Sequence, residues 1–250
     1  MVVLTVAVAA LMYANDIILI SSSLLHAQRL IDICLEQFKL IDLSINGKKS
    51  SWLRIGYRFN KFCQRIHIGV THLECSDSVN FLGSKLVSGS KFSVALDINK
   101  VKFFGNANKI FGKLGTSNVP VLMKLVESHC ISSLLYNLEV VDLTKSQINS
   151  LNFALHRMYM KIFKTSSMEI VQLSLFNFGQ LPIDLKLMLR KSKYLHKIAG
   201  NYENVLFFSL HKLIMNELNN LKMHWNTMGR NLHLPCMHDA WAVYAERLDI

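Results

Sequence analysis

The sequence predicts an α+β fold with its strands first: a short antiparallel sheet with one packed helix, followed by an all-helical unit. Three observations predict it. Up to about residue 90, β-branched and alternating apolar stretches are broken at short intervals by turn residues. Beyond Lys91 the apolar spacing becomes helical and stays so. Across the 250 residues, 51% are hydrophobic and 18% charged, which supplies a core and excludes a disordered chain.

The elements follow in order. The run Val2–Ala10 leads into Tyr13-Ala14-Asn15-Asp16 and then Ile17-Ile18-Leu19-Ile20. Two apolar runs around a short Asn-Asp stretch predict a buried β-hairpin, because Asn and Asp tolerate turn geometry. Ser21-Ser22-Ser23 supplies N-cap hydroxyls. Behind them Leu24, Ala27, Ile31, Leu35, Phe38 and Ile41 form the apolar stripe of a helix. Its other face carries Gln28, Arg29, Asp32, Glu36 and Lys39, and the carboxylates Asp32, Glu36 and Asp42 read as solvated helix charges. Asn46-Gly47 ends the helix or opens the next turn. Ser51–Ile55, Arg65–Val70 and Val79–Leu82 read as short strands, the second with Ile66, Ile68 and Val70 on one face and the third closed by Gly83.

In the helical part, Val94, Val101, Phe104, Ala107 and Phe111 mark one face, with Lys100, Lys102, Lys109 and Lys113 mostly off it. Pro120 opens a helix after Ser117-Asn118. Ile148, Leu151, Leu155, Met158 and Ile162 give the cleanest repeat, capped by Thr144. Pro182 starts a basic helix through Lys186, Arg190, Lys193 and Lys197 that stops near Gly200. Further helices are expected around 204–221 and 238–248. The expected organisation is residues 1–90 as the sheet unit, 91–200 as the helical unit and 201–250 as a C-terminal helical extension.

Charge is unevenly placed. Lys and Arg total 28 against 17 acids, a formal charge of +11, which favours an anionic partner. Ser84–Lys124 carries seven bases and one acid, Lys145–Gly200 nine bases and two acids, and residues 201–250 four bases and five acids. A middle-of-chain excess suits a basic face better than a basic tail. Five scattered cysteines without C-x-x-C spacing predict neither a disulfide scaffold nor a zinc or redox pair, and a reducing compartment. Cys236 and His238 form at most a fragment of a metal motif, and His156, His211 and His224 lack paired ligand spacing. The apolar start lacks a basic n-region and is interrupted at Asn15-Asp16, too early for a membrane span. The expectation is an intracellular protein, nuclear or cytoplasmic, not secreted and without a membrane partner. No Gly-rich phosphate loop or supported Ser-His-Asp pattern is visible.

Tyr13-Ala14-Asn15-Asp16, set between two apolar strands, resembles the Tyr-Ala-Asp-Asp box of reverse transcriptases with its first aspartate changed to asparagine. The context extends the likeness. An amphipathic helix follows, then Leu43-Ser44-Ile45-Asn46-Gly47-Lys48-Lys49-Ser50, then Phe81-Leu82-Gly83, similar to a Tyr-Leu-Gly element that grips the primer. Leu134-Leu135-Tyr136-Asn137-Leu138-Glu139 is similar to a Leu-Leu-Tyr-Gly-x-Glu stretch, with Asn137 where glycine is usual. The ordered series resembles the palm and thumb of non-LTR (LINE-type) retrotransposon reverse transcriptases, from the first residues to about 165 and more loosely to about 200.

The resemblance implies a partial palm over 1–90, a thumb over 91–200, an RNA template and DNA primer as partners, and Mg²⁺ as cofactor. It places Asn15 and Asp16 at metal-binding aspartate positions, Asp16 as a vestigial ligand, and Lys49 at a lysine that protonates departing pyrophosphate. Phe81, Leu82 and Gly83 would meet the primer. Lysines interleaved with aromatics would track phosphates: Lys102, Lys109, Lys113, Lys161, Lys186, Arg190 and Lys193. Two-metal nucleotidyl transfer needs several carboxylates. Asn15 offers a neutral oxygen, and none of the fourteen residues before it is acidic. The start therefore falls inside the palm, and the expectation is a fragment inactive on its own that retains a template–primer surface. A noncatalytic basic nucleic-acid-binding protein and a functionless transposon relic are the alternatives.

Overall fold

A computed structural model describes residues 10–115, 118–201, 205–226 and 237–248. The expected strand before Ala10, Ser117 and Cys236 lie outside the described residues, as does the side chain of His238. The chain divides into two compact units at Ala95/Leu96, rather than at 90/91.

The first unit opens with an antiparallel hairpin of β1 (Ala10–Tyr13) and β2 (Asp16–Leu19), in register Tyr13↔Asp16. Helix α1 (Leu24–Lys39) follows, N-capped by the Ser23 hydroxyl, which accepts from the His26 N–H. It ends earlier than its apolar stripe suggests. Asp42 adopts φ +53°, and Leu43 N–H reaches back to the Phe38 carbonyl, a Schellman closure that leaves Ile41 exposed. Asp42 therefore lies past the helix rather than on it.

Ile31 of α1 packs against Ile66 and Leu73, with Leu19, Leu24, Ala27, Leu35, Trp52 and Ile68 around them. Of these, Ile66, Ile68 and Leu73 belong to the hairpin β3 (Ile66–Ile68) and β4 (Thr71–Leu73). Gly69 turns this hairpin at φ +56°, so Val70 lies exposed in the turn and not on the strand face expected for it. The Gln28 side chain pins the outer edge of β3, its amide donating to the His67 carbonyl (3.0 Å) while its oxygen accepts the His67 N–H (2.9 Å). Gln28→Ala is expected to lower the stability of this unit by about 1–2 kcal/mol, read from the urea midpoint of Trp52 fluorescence in a Trp225→Phe, Trp241→Phe background.

The buried character expected of the first hairpin is corrected. Met12 and Tyr13 are 64% and 65% exposed, and of its residues only Leu19 joins the α1 core. Residues 51–55 form no strand. They contribute isolated bridges, Trp52↔Cys75 and Ile55↔Gly89. A three-stranded sheet closes the unit in the order β5 (Ser78–Phe81), β6 (Ser84–Val87), β7 (Ser93–Ala95). The last two strands carry too short an alternation to read from sequence.

The second unit is helical: α2 (Asp97–Leu114), α3 (Val119–Leu125), a π-helical turn (Val126–Ile131), the short α4 (Ser132–Leu134), a 3₁₀ turn (Leu138–Val140), α5 (Lys145–Phe163), α6 (Met168–Asn177), α7 (Ile183–Ala199), α8 (Val205–Asn226) and α9 (Met237–Arg247). Asn118 caps α3, whose first turn holds Pro120, and a Thr144–Gln147 capping box starts α5. Leu151, Leu155, Met158 and Ile162 are buried as their period predicts.

The predicted face of α2 is corrected. Asn99, Phe103 and Ala107 are buried, whereas Val101 is 71% exposed and Phe104 38%. The core accepts a polar residue here because the Asn99 amide donates to the Leu134 and Tyr136 carbonyls, at 3.1 and 3.0 Å, where the chain leaves α4. Helix α6 went unpredicted because apolar residues occur on nearly all its sides, so no stripe marks a face. Helices α8 and α9 share cores with α7. Trp225, Ala240, Val243 and Tyr244 pack on Leu181, Leu185 and Leu189, and Ile214 and Leu218 on Leu195. Residues of 201–250 thus complete the helical unit.

Candidate nucleic-acid interface

In the first unit, Asn15 and Asp16 sit at the tip of the first hairpin, both exposed. Ala14 supplies the turn, at φ +52°. Lys49 is exposed on a separate turn built by Asn46, whose side-chain oxygen accepts the N–H groups of Lys48 and Lys49. Phe81-Leu82-Gly83 ends β5 and turns into β6 through the pair Phe81↔Ser84. Leu82 and Gly83 have φ +45° and +81°, the two positive values of a type I′ hairpin. Leu82 is thus a turn residue, not the end of a strand. Among the described residues no group of three or more His, Cys, Asp or Glu side chains is placed to hold a metal ion.

In the second unit the lysines divide. Lys102, Lys109 and Lys113 are seven and eleven residues apart, near two and three helical turns, so they form one exposed file along α2. The file is roughly 16 Å long at 1.5 Å per residue. Lys102 also lies 5.7 Å from the centre of the Tyr136 ring. Lys161 of α5 is exposed but belongs to another side of α2, held 4.4 Å over the Phe111 ring. Neighbouring Lys100 is a structural group, donating to Ser150 Oγ at 2.6 Å.

The basic residues of α7 behave differently. Their spacing puts Lys186, Arg190 and Lys193 near one line of the helix, but only Lys193 is exposed. Lys186 is turned inward and donates to Gln180 Oε1 at 2.7 Å, and burial pulls its pKa down to about 8. Arg190 Nη2 lies 3.5 Å from Glu139 Oε1. Lys191, beside them, pairs with Asp142 and Glu217 at 2.9 and 3.1 Å; burial lowers its pKa, but the hydrogen bonds and charge attraction of these two carboxylates together leave it raised. Lys186, turned inward onto Gln180, does not present its ammonium to a phosphate backbone as expected, whereas Arg190 keeps a side chain 38% exposed beside Glu139.

Asn137, where the resemblance expects glycine, has φ +58°. Asparagine is the non-glycine residue best suited to that left-handed position, so the substitution keeps the turn. Gln28 and Asn99, on helices, and Gln180, in the connection before α7, are structural polar residues that spacing alone does not single out, since an amide reads as surface. His67 and His72, opposite each other on the second hairpin, were missed as well. Their spacing across Gly69-Val70 is the signal that could have found them.

No family model, curated protein or solved structure matches the chain. What the structure defines is an α+β protein with small antiparallel sheets and a helical unit. No described helix is long and apolar enough to cross a membrane.

Proposed function

We propose that this chain is a palm-and-thumb portion of a LINE-type reverse transcriptase with a degenerate metal site, retaining a surface for the template–primer duplex. The observation that carries the reading is the tight hairpin presenting Asn15 and Asp16 side by side at its tip. The ordered series after it adds support: a capped helix, the Asn46 turn with Lys49, the Leu82-Gly83 hairpin and then a helical unit with a lysine file. Asp16 and Asn15 bring one carboxylate and one neutral amide oxygen to a site whose chemistry uses two Mg²⁺ ions held by several carboxylates. Bound there, the ions would activate the primer hydroxyl and stabilise the leaving pyrophosphate. The residues present are too few and too weakly charged to hold both.

The test is primer extension on an RNA template with Mg²⁺ or Mn²⁺. The purified 250-residue chain is expected to incorporate no nucleotide, and Asn15→Asp alone should not restore incorporation, because no carboxylate lies among the residues before it. A fluorescence-anisotropy titration with an RNA–DNA hybrid should show binding that weakens steeply with salt. Reversing Lys102, Lys109 and Lys113 to Glu should weaken it at least about 100-fold and flatten the log–log salt slope by about 3. Equal affinity before and after that reversal rejects the duplex surface, whereas binding without any trace of polymerase history (no gain even with several restored carboxylates) favours a noncatalytic binder.

A further inference from the structure

The second hairpin carries a feature independent of the polymerase reading. His67 and His72 are direct cross-strand partners. Gln28 takes both the N–H and the C=O of His67, so those backbone groups point away from β4. The pair is therefore of the non-hydrogen-bonded kind, in which opposite Cα atoms stand about 4.5 Å apart and side chains approach most closely. Ile66 and Leu73, the adjacent pair, are buried toward α1, and strand alternation sends the imidazoles to the opposite face. His72 is exposed and His67 half-buried. Their ring centroids lie 4.4 Å apart with the planes tilted by 54°.

We propose that His67 and His72 form a two-point site for a borderline divalent transition-metal ion such as Ni²⁺, Cu²⁺ or Zn²⁺, with water completing the coordination. Two imidazoles bound to one ion through metal–nitrogen bonds of about 2.1 Å place their centroids roughly 4.6–5.3 Å apart, over bite angles from square to tetrahedral. The observed spacing is within a small rotamer adjustment of that range. Imidazole suits these ions and not Mg²⁺, which prefers hard oxygen ligands, so the site is chemically separate from Asn15 and Asp16. Gln28 acts as a positioning residue, because it fixes the backbone from which one ligand projects. An ion here would clasp the two strands across the face away from the α1 core.

Calorimetric titration of the whole chain with NiCl₂ at pH 7.5 in a non-chelating buffer tests this. One ion per chain is expected at the pair. His67→Ala and His72→Ala should each weaken that binding at least tenfold, while His129→Ala, on the helical unit, should leave it unchanged. Far-UV circular dichroism checks that each variant folds. A second measurement needs no variant to fold: substoichiometric Cu²⁺ should broaden the imidazole resonances of His67 and His72 in the unaltered chain before those of other histidines. Unchanged affinity in both alanine variants, no saturable binding, or broadening confined to other histidines would overturn the site.

Discussion

Lys186→Glu is expected to unfold the helical unit or leave it at least about 3–5 kcal/mol less stable, since it buries a carboxylate where an ammonium group now meets the Gln180 oxygen at 2.7 Å. The same position governs how stability varies with pH. Burial lowers the Lys186 pKa from 10.5 to about 8 in the folded chain. Below pH 8 both folded and unfolded chains carry the ammonium, so its desolvation opposes folding in full. Between about 8 and 10.5 the unfolded chain binds the additional proton, and stability climbs by up to about 3 kcal/mol. Tyr159 acts in the opposite sense. Burial first, then the neighbouring Glu127 and Cys130, raise its phenol well above the ordinary value of 10.0. Above pH 10 the unfolded chain loses a proton that the folded chain keeps, so stability turns down. Cys130 acts earlier in the same sense as Tyr159, because burial raises its thiol from 9.0 to about 11. Urea midpoints between pH 7 and 11, followed by fluorescence in a Trp52→Phe background, should therefore climb from about pH 8, level off between about pH 9 and 10, and fall above that. Lys186→Met should erase the rise and keep the fall. A flat profile in the unsubstituted chain would show that Lys186 is not held as described.

Asn99 gives the second large effect. Its amide is 5% exposed and supplies donors to the Leu134 and Tyr136 carbonyls, with the Ser133 carbonyl at 3.5 Å. Asn99→Leu should cost about 2–3 kcal/mol, because the Leu134 carbonyl, within the core, loses its partner and the Tyr136 carbonyl loses a donor as well. Asn99→Asp is nearly isosteric and should cost more at pH 7, since it points an anion at carbonyl oxygens. Part of that loss should be recovered at acidic pH, where a protonated carboxyl again offers a donor. Chemical denaturation of the two variants at pH 7 and pH 4 separates these outcomes. Equal stability of Asn99→Asp at both pH values would count against the donor role.

These two residues also show where sequence reading stops. Caps and apolar periods were legible: Ser23, Thr144 and the stripe through Leu151 and Ile162 are local signals, decided within a few residues. The hairpin at Asn15 was legible for the same reason. Its exposure was not, because burial depends on what lies across from a strand, and a run such as Leu11-Met12-Tyr13 carries no information on that. The face of α2 was misread because Asn99 looks like a surface residue until the carbonyls it serves arrive from 35 residues further on. Lys186 and Lys193 are indistinguishable by helical spacing. Only the packing of other helices over the first half of α7 separates a structural cation from one that can meet phosphate. Of the candidate interface, the file on α2 was contained in the spacing, whereas the loss of Lys186 from it was not.

The π-helical turn at Val126–Ile131 explains a rhythm in the buried residues around it. Leu122, Val126, Cys130 and Leu134 are each 0% exposed and recur every four positions. Ordinary winding at 3.6 residues per turn would swing each successive member about 40° further round, so by Leu134 the series would have rotated roughly 120° away from the core. The wider turn absorbs that drift. Serine hydroxyls brace it, Ser128 on the Lys124 carbonyl at 2.9 Å and Ser132 on the Ser128 carbonyl at 2.6 Å. This stretch therefore holds about one residue more than ordinary winding needs. Excising one within it would leave eleven steps from Leu122 to Leu134, about 20° from three full turns, and keep the Leu134 carbonyl beside α2. Inserting one more would turn it by a further 100° or so.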